Sequence, residues 1–160
     1  MTATQVPPAL RTSILSPPVT ATFGFVVYAL SMISGEVFEV NMDSRLGNPH
    51  LHTFFDAVTA HPAEMAIGLI GVAIAVWAGR RAWSGQPSRL AKTAVVLAVA
   101  AAISYPALFW AGWPTIFGAV SAGLALECRR RVGSLSLGTG TALALGSLAF
   151  LAGAVTCVLG

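Results

Sequence analysis

TAVVLAVAAAISYPALFWAGWPTIFGAVSAGLAL, residues 93–126, runs for more than thirty residues without a charge between Lys92 and Glu127. A helix needs about 20 apolar residues to cross the hydrocarbon of a bilayer, so this run is too long for one crossing and suits a hairpin of two. The break is legible at Phe109, Trp110, Ala111, Gly112, Trp113 and Pro114, where a Gly/Pro turn signal coincides with aromatics of the kind that favour membrane interfaces.

The flanks of the run fix how the rest of the chain is threaded. Arg80, Arg81, Arg89 and Lys92 lie before it, and Arg129, Arg130 and Arg131 follow it. Two crossings return the chain to the face it left, so both basic groups share one face; a single long helix would put them on opposite faces. Basic residues are retained on the cytoplasmic side, which selects the hairpin.

Composition agrees with a bilayer as the solvent. The chain has 160 residues, of which 56% are hydrophobic and only 9% charged, against roughly 25% charged in an ordinary soluble domain. So few charges cannot solvate the surface of a small soluble fold. The net charge of +3 carries no basic stripe interleaved with aromatics, which argues against a nucleic-acid partner.

Working outward, Pro17 and Pro18 open a first span over 19–37, a second runs over 62–79, the hairpin supplies 93–110 and 114–127, and a chargeless last span covers 135–159. Ahead of them MTATQVPPALRTSILSPP, residues 1–18, reads as a flexible tail. Between the first two spans, Leu51, Phe54, Phe55 and Val58 recur at i, i+3, i+4 and i+7 behind Asn48 and Pro49, the pattern of a short amphipathic helix on the membrane surface. The expectation is an all-α integral membrane protein: a bundle of about five transmembrane helices in one domain, 19–160. With the N-terminus cytoplasmic and five crossings, the C-terminus lies outside. Abundant Ala and Gly with little Lys point to a bacterial plasma membrane.

Cys128 and Cys157 fall at opposite ends of the last apolar run, too far apart for a disulfide within the chain. Trp77 and Trp83 at one boundary and Trp110 and Trp113 at the other read as interfacial anchors. Gly71, Ala75 and Gly79, then Ala119 and Gly123, then Ala142 and Gly146 form rows of small residues at four-residue spacing, which allow close helix packing in lipid.

One segment could carry chemistry. Five of the six acidic residues (Glu36, Glu39, Asp43, Asp56, Glu64) and all three histidines (His50, His52, His61) lie between or beside the first two spans, on the outer side. Imidazole and carboxylate together suit a divalent metal. His52 and Asp56 stand at i, i+4, while His61 with Glu64 and Glu36 with Glu39 stand at i, i+3. Glu36, Glu39, His52, Asp56, His61 and Glu64 are therefore the candidate ligands. Glu36 leads them, because it falls near the edge of the hydrocarbon, where an ionisable group is costly.

The plainer reading ranks first. A hydrated loop needs polar residues, and His61, Pro62 and Glu64 make a good helix start with a carboxylate near the positive end of the dipole. No short metal motif of the H-E-x-x-H kind, phosphate loop or Ser-His-Asp arrangement is present. Three functions follow in order: a non-catalytic subunit, assembly factor or scaffold that meets a membrane-protein partner or its own copies through the small-residue rows; a metal-binding or metal-dependent protein; and a transporter component.

Overall fold

The computed structural model describes residues 13–45 and 61–159, and the side chains of 13–35 and 61–159. The tail ahead of residue 13 and the surface helix expected over 49–58 lie outside the described residues. Within them the fold is all helical: α1 (Pro17–Arg45), α2 (Pro62–Trp83), α3 (Pro87–Leu108), a single 3-10 turn (Phe109–Ala111), α4 (Trp113–Val132) and α5 (Leu137–Leu159).

Local sequence explains most of the boundaries. Prolines at the first or second position open α2, α3 and α4, where the missing N–H is one that a helix start cannot bond anyway. Arg80 and Arg81 close α2 and Arg129 to Arg131 close α4, opposite the negative end of each helix dipole. Gly133, at φ 82°, ends α4 by donating its N–H to the Arg129 carbonyl at 2.7 Å, a left-handed C-terminal cap that glycine adopts without strain. The first helix runs on beyond its apolar span, to Arg45, carrying Glu36, Glu39 and Asp43 at helical spacing.

The hairpin turns where Gly112 stands. Its φ is 72°, and a Cβ there would also strike the ring of Tyr28. Handedness and close approach both demand glycine at this position.

Among the described residues four helical stretches are long and apolar enough to cross a membrane: Pro17–Gly35, Pro62–Trp83, Pro87–Ala111 and Leu137–Leu159. Of the five described helices, α4 alone is not among these four. The reason is its place in the bundle. It packs against all four other helices, and twelve of its 20 residues are buried, against five of 22 in α2. The other helices turn Phe23, Leu30, Leu69, Ile70, Val96, Ile103, Leu148 and Leu151 outward, whereas α4 exposes no large apolar side chain before Val132. A helix wrapped by protein does not need to dissolve in lipid, so it tolerates Thr115, Ser121 and Glu127 where its neighbours carry Leu and Val.

Helix directions follow from the closest approaches. A Cβ on Gly79 of α2 would lie 2.5 Å from Pro17, and one on Gly35 of α1 would lie 2.5 Å from the Cys157 carbonyl of α5. Hence α1 runs antiparallel to α2 and parallel to α5. The start of α1, the α2–α3 loop and the α4–α5 connection meet at one end with the basic residues; the α3–α4 turn and the end of α5 lie at the other.

The small-residue rows lie inside this bundle. Gly71 abuts the Trp113 indole, Ala75 is fully buried, Gly123 faces Thr20 of α1, and Gly146 faces Ser121 and the Gly118 carbonyl. Short connections hold these helices as neighbours, so the rows serve packing within the chain. A partner expected on them would have to use another surface.

Candidate functional site

At the end opposite the arginines, α2 begins with His61 as its N-cap residue and Glu64 in its first turn. His61 Nδ1 lies 3.6 Å from Glu64 Oε1, and both side chains are about 30% exposed. The structure thus brings together two of the six candidate ligands. Glu36 and Glu39 lie on the continuation of α1, whose described side chains stop at residue 35, while His52 and Asp56 lie outside the described residues. Among the described residues no three His, Cys, Asp or Glu side chains converge on one point.

The polar groups within the helices engage one another. Tyr28, fully buried, donates to the Trp110 carbonyl at 2.7 Å. Trp113 Nε1 donates to the Ile67 carbonyl at 2.9 Å, so this indole is a link between α4 and α2 where the sequence suggested an interfacial anchor. Tyr105 and Thr156 join α3 to α5 through a short hydroxyl–hydroxyl contact. Ser121 sits 2.8 Å from the Ala94 carbonyl and 3.3 Å from that of Ala142, so one hydroxyl addresses both α3 and α5. Such bonds contribute about 0.6 kcal/mol each on average in lipid.

Two groups on α4 stand apart. Thr115 Oγ1 is buried near Gly153 of α5 and has no hydrogen-bond partner among the described residues. Glu127 is 1% exposed at the basic end, where Arg131 Nε donates to its Oε1 at 2.8 Å. Arg130 Nη2 donates to the same oxygen at 3.0 Å, and Arg130 Nε stands 2.8 Å from Oε2 in a charge contact without hydrogen-bond alignment. The hydrogen bond to Glu127, and then its charge, hold the Arg130 guanidinium above its ordinary range. Arg131 also donates to the Gly85 and Trp83 carbonyls, so this one carboxylate anchors an arginine that clasps the α2–α3 loop.

Sequence reasoning did not single out Ser121 or Thr115. The available signal was their setting: lone hydroxyls in the least apolar of five helices, which marks the helix most enclosed by the others. Comparison with protein-family models, curated proteins and solved structures finds no match for this chain.

Proposed function

We propose that this chain is a small polytopic membrane protein acting as a non-catalytic subunit, assembly factor or scaffold. It crosses a bacterial plasma membrane five times, with its N-terminus in the cytoplasm and its C-terminus outside. The observation that supports this reading best is the use made of its interior polar groups. Tyr28, Tyr105, Trp113, Ser121 and Thr156 tie one helix to another, and Glu127 is neutralised by Arg130 and Arg131. These are the groups a bundle needs to hold its shape in lipid.

The fifth crossing is α4. Its ends carry the hairpin turn and the arginine triplet, and Arg131 reaches the α2–α3 loop. An α4 that did not cross would carry the Arg129 to Arg131 group to the face opposite Arg80, Arg81, Arg89 and Lys92.

Affinity purification from native membranes tests the assignment. Stoichiometric co-purification of another membrane protein, or a defined homo-oligomer, is the expected result. A monomer in mild detergent that captures nothing from native membranes would sink it.

The second reading is a metal-binding protein, and the His61–Glu64 pairing favours it. That pair lies at the end of the bundle toward which α1 carries Glu36 and Glu39. His52 and Asp56 would complete a divalent site of mixed imidazole and carboxylate donors.

A further inference from the structure

A groove of about 200 Å³ runs along the flank of the bundle between α1, α4 and α5. Leu15 and Leu126 form its wall toward the basic end, Ala122 and Gly123 its floor, and Phe23 and Phe150 its inner wall. The two phenylalanine rings stack with centroids 5.7 Å apart, which closes the groove toward the middle of the bundle. Its one α1 hydroxyl, that of Thr20, is engaged with the Ser16 and Pro17 carbonyls. Apart from Thr20 and Ser147 of α5, every side chain that lines the groove is apolar.

The groove has a charged end. Ala119, Ala122, Gly123 and Leu126 follow one another at helical spacing along one face of α4, and Arg129 and Arg130 are the next residues on that face. Arg130 is engaged by Glu127, whereas among the described residues Arg129, which is exposed, makes no hydrogen bond or ion pair. An apolar channel parallel to the helices, with a cation at its basic end, has the layout of a single phospholipid: an acyl chain along the groove and a negative headgroup at its mouth.

We infer that this groove is a binding site for one anionic phospholipid, its acyl chain between α1, α4 and α5 and its headgroup phosphate on Arg129. The inference rests on the membrane reading above. A lipid held there fills the gap between α1 and α5 and screens Arg129.

The test is native mass spectrometry of the full chain in mild detergent, with phosphatidylglycerol or phosphatidylcholine added at equal concentration. The wild type should retain one phosphatidylglycerol in about fivefold preference over phosphatidylcholine, the factor that one basic residue near an anionic surface supplies. Arg129→Gln should equalise the two lipids, and Ala122→Phe, which fills the groove, should lose the retained lipid of either kind. Circular dichroism establishes that both variants fold. Preference unchanged in Arg129→Gln, or retention unchanged in a folded Ala122→Phe, would overturn the inference. An alkaline wash of the membranes separates the two levels of failure: a chain that washes off was never embedded, whereas one that stays embedded without lipid preference refutes the groove alone.

Discussion

Arg131, at the end of α4, donates from Nη2 to the Trp83 carbonyl at 3.0 Å and lies over the Trp83 ring at 5.4 Å. This contact joins the C-terminal end of the hairpin to the loop that precedes it, so both basic groups occupy one end of the bundle. It depends on Glu127, which is buried and would be costly without its two arginines.

Four variants separate these roles. Arg130 is 65% exposed, and Arg130→Ala should lower stability less than Arg131→Ala does. Arg131→Ala removes charge-assisted bonds to Glu127 and to the loop, and should cost about 1.5–3 kcal/mol. The double variant strands a buried carboxylate and should cost about 3–5 kcal/mol, with partial recovery on adding Glu127→Gln. Unfolding in detergent micelles followed by circular dichroism measures all of these; a double variant as stable as the parent would refute the clasp.

Thr115→Val should stabilise the protein. The threonine hydroxyl is buried without a partner among the described residues, and replacing it by a methyl group of similar shape removes a desolvation cost of about 1 kcal/mol. The same unfolding assay reads it. A loss of stability would mean that the hydroxyl bonds to something the helices themselves do not supply.

Two glycines of the bundle should respond in opposite directions to alanine. On Gly118 a Cβ would drive into the backbone of Gly146 and Phe150, whereas on Gly140 it meets nothing within 4 Å. Gly118→Ala should therefore force α4 from α5 and cost about 1–3 kcal/mol, while Gly140→Ala should gain up to about 1 kcal/mol from reduced backbone freedom in the unfolded chain. Equal effects at the two sites would show that α4 and α5 are not packed this closely.

Metal analysis of protein purified without chelator separates the two functional readings. The scaffold reading predicts substoichiometric metal, the same in the parent, Glu36→Gln and His61→Ala. Near-stoichiometric metal that falls in both variants would transfer the assignment to a metalloprotein.

How much of this was legible in the sequence depended on what each signal reports. Hydropathy reports the solvent of a helix, so the four helices with exposed apolar faces stood out, and α4, enclosed by them, was the one whose composition departed. The turn at Gly112 was legible because glycine, proline and aromatics coincide there. The small residues at 71, 75 and 79 announced close packing but not the identity of the partner, which proved to be Trp113 and Pro17 for the two glycines. Trp113 itself was misread, since an indole at a span boundary looks the same in sequence whether it faces lipid or a neighbouring carbonyl. Continuation of α1 to Arg45 fits the helical spacing of Glu36, Glu39 and Asp43, which mark the end of an apolar run but not of a helix.

The central claim is that α4 crosses the membrane although its composition alone would not carry it there. Single cysteines at Ser84, Ser134 and Leu159, in a background with Cys128 and Cys157 replaced by alanine, test it by labelling with a membrane-impermeant maleimide in intact and then permeabilised cells. Five crossings predict that Ser84→Cys and Ser134→Cys react only after permeabilisation while Leu159→Cys reacts in intact cells. Labelling of Ser134→Cys in intact cells, with Ser84→Cys still protected, would place the two ends of the hairpin on opposite faces and contradict the account.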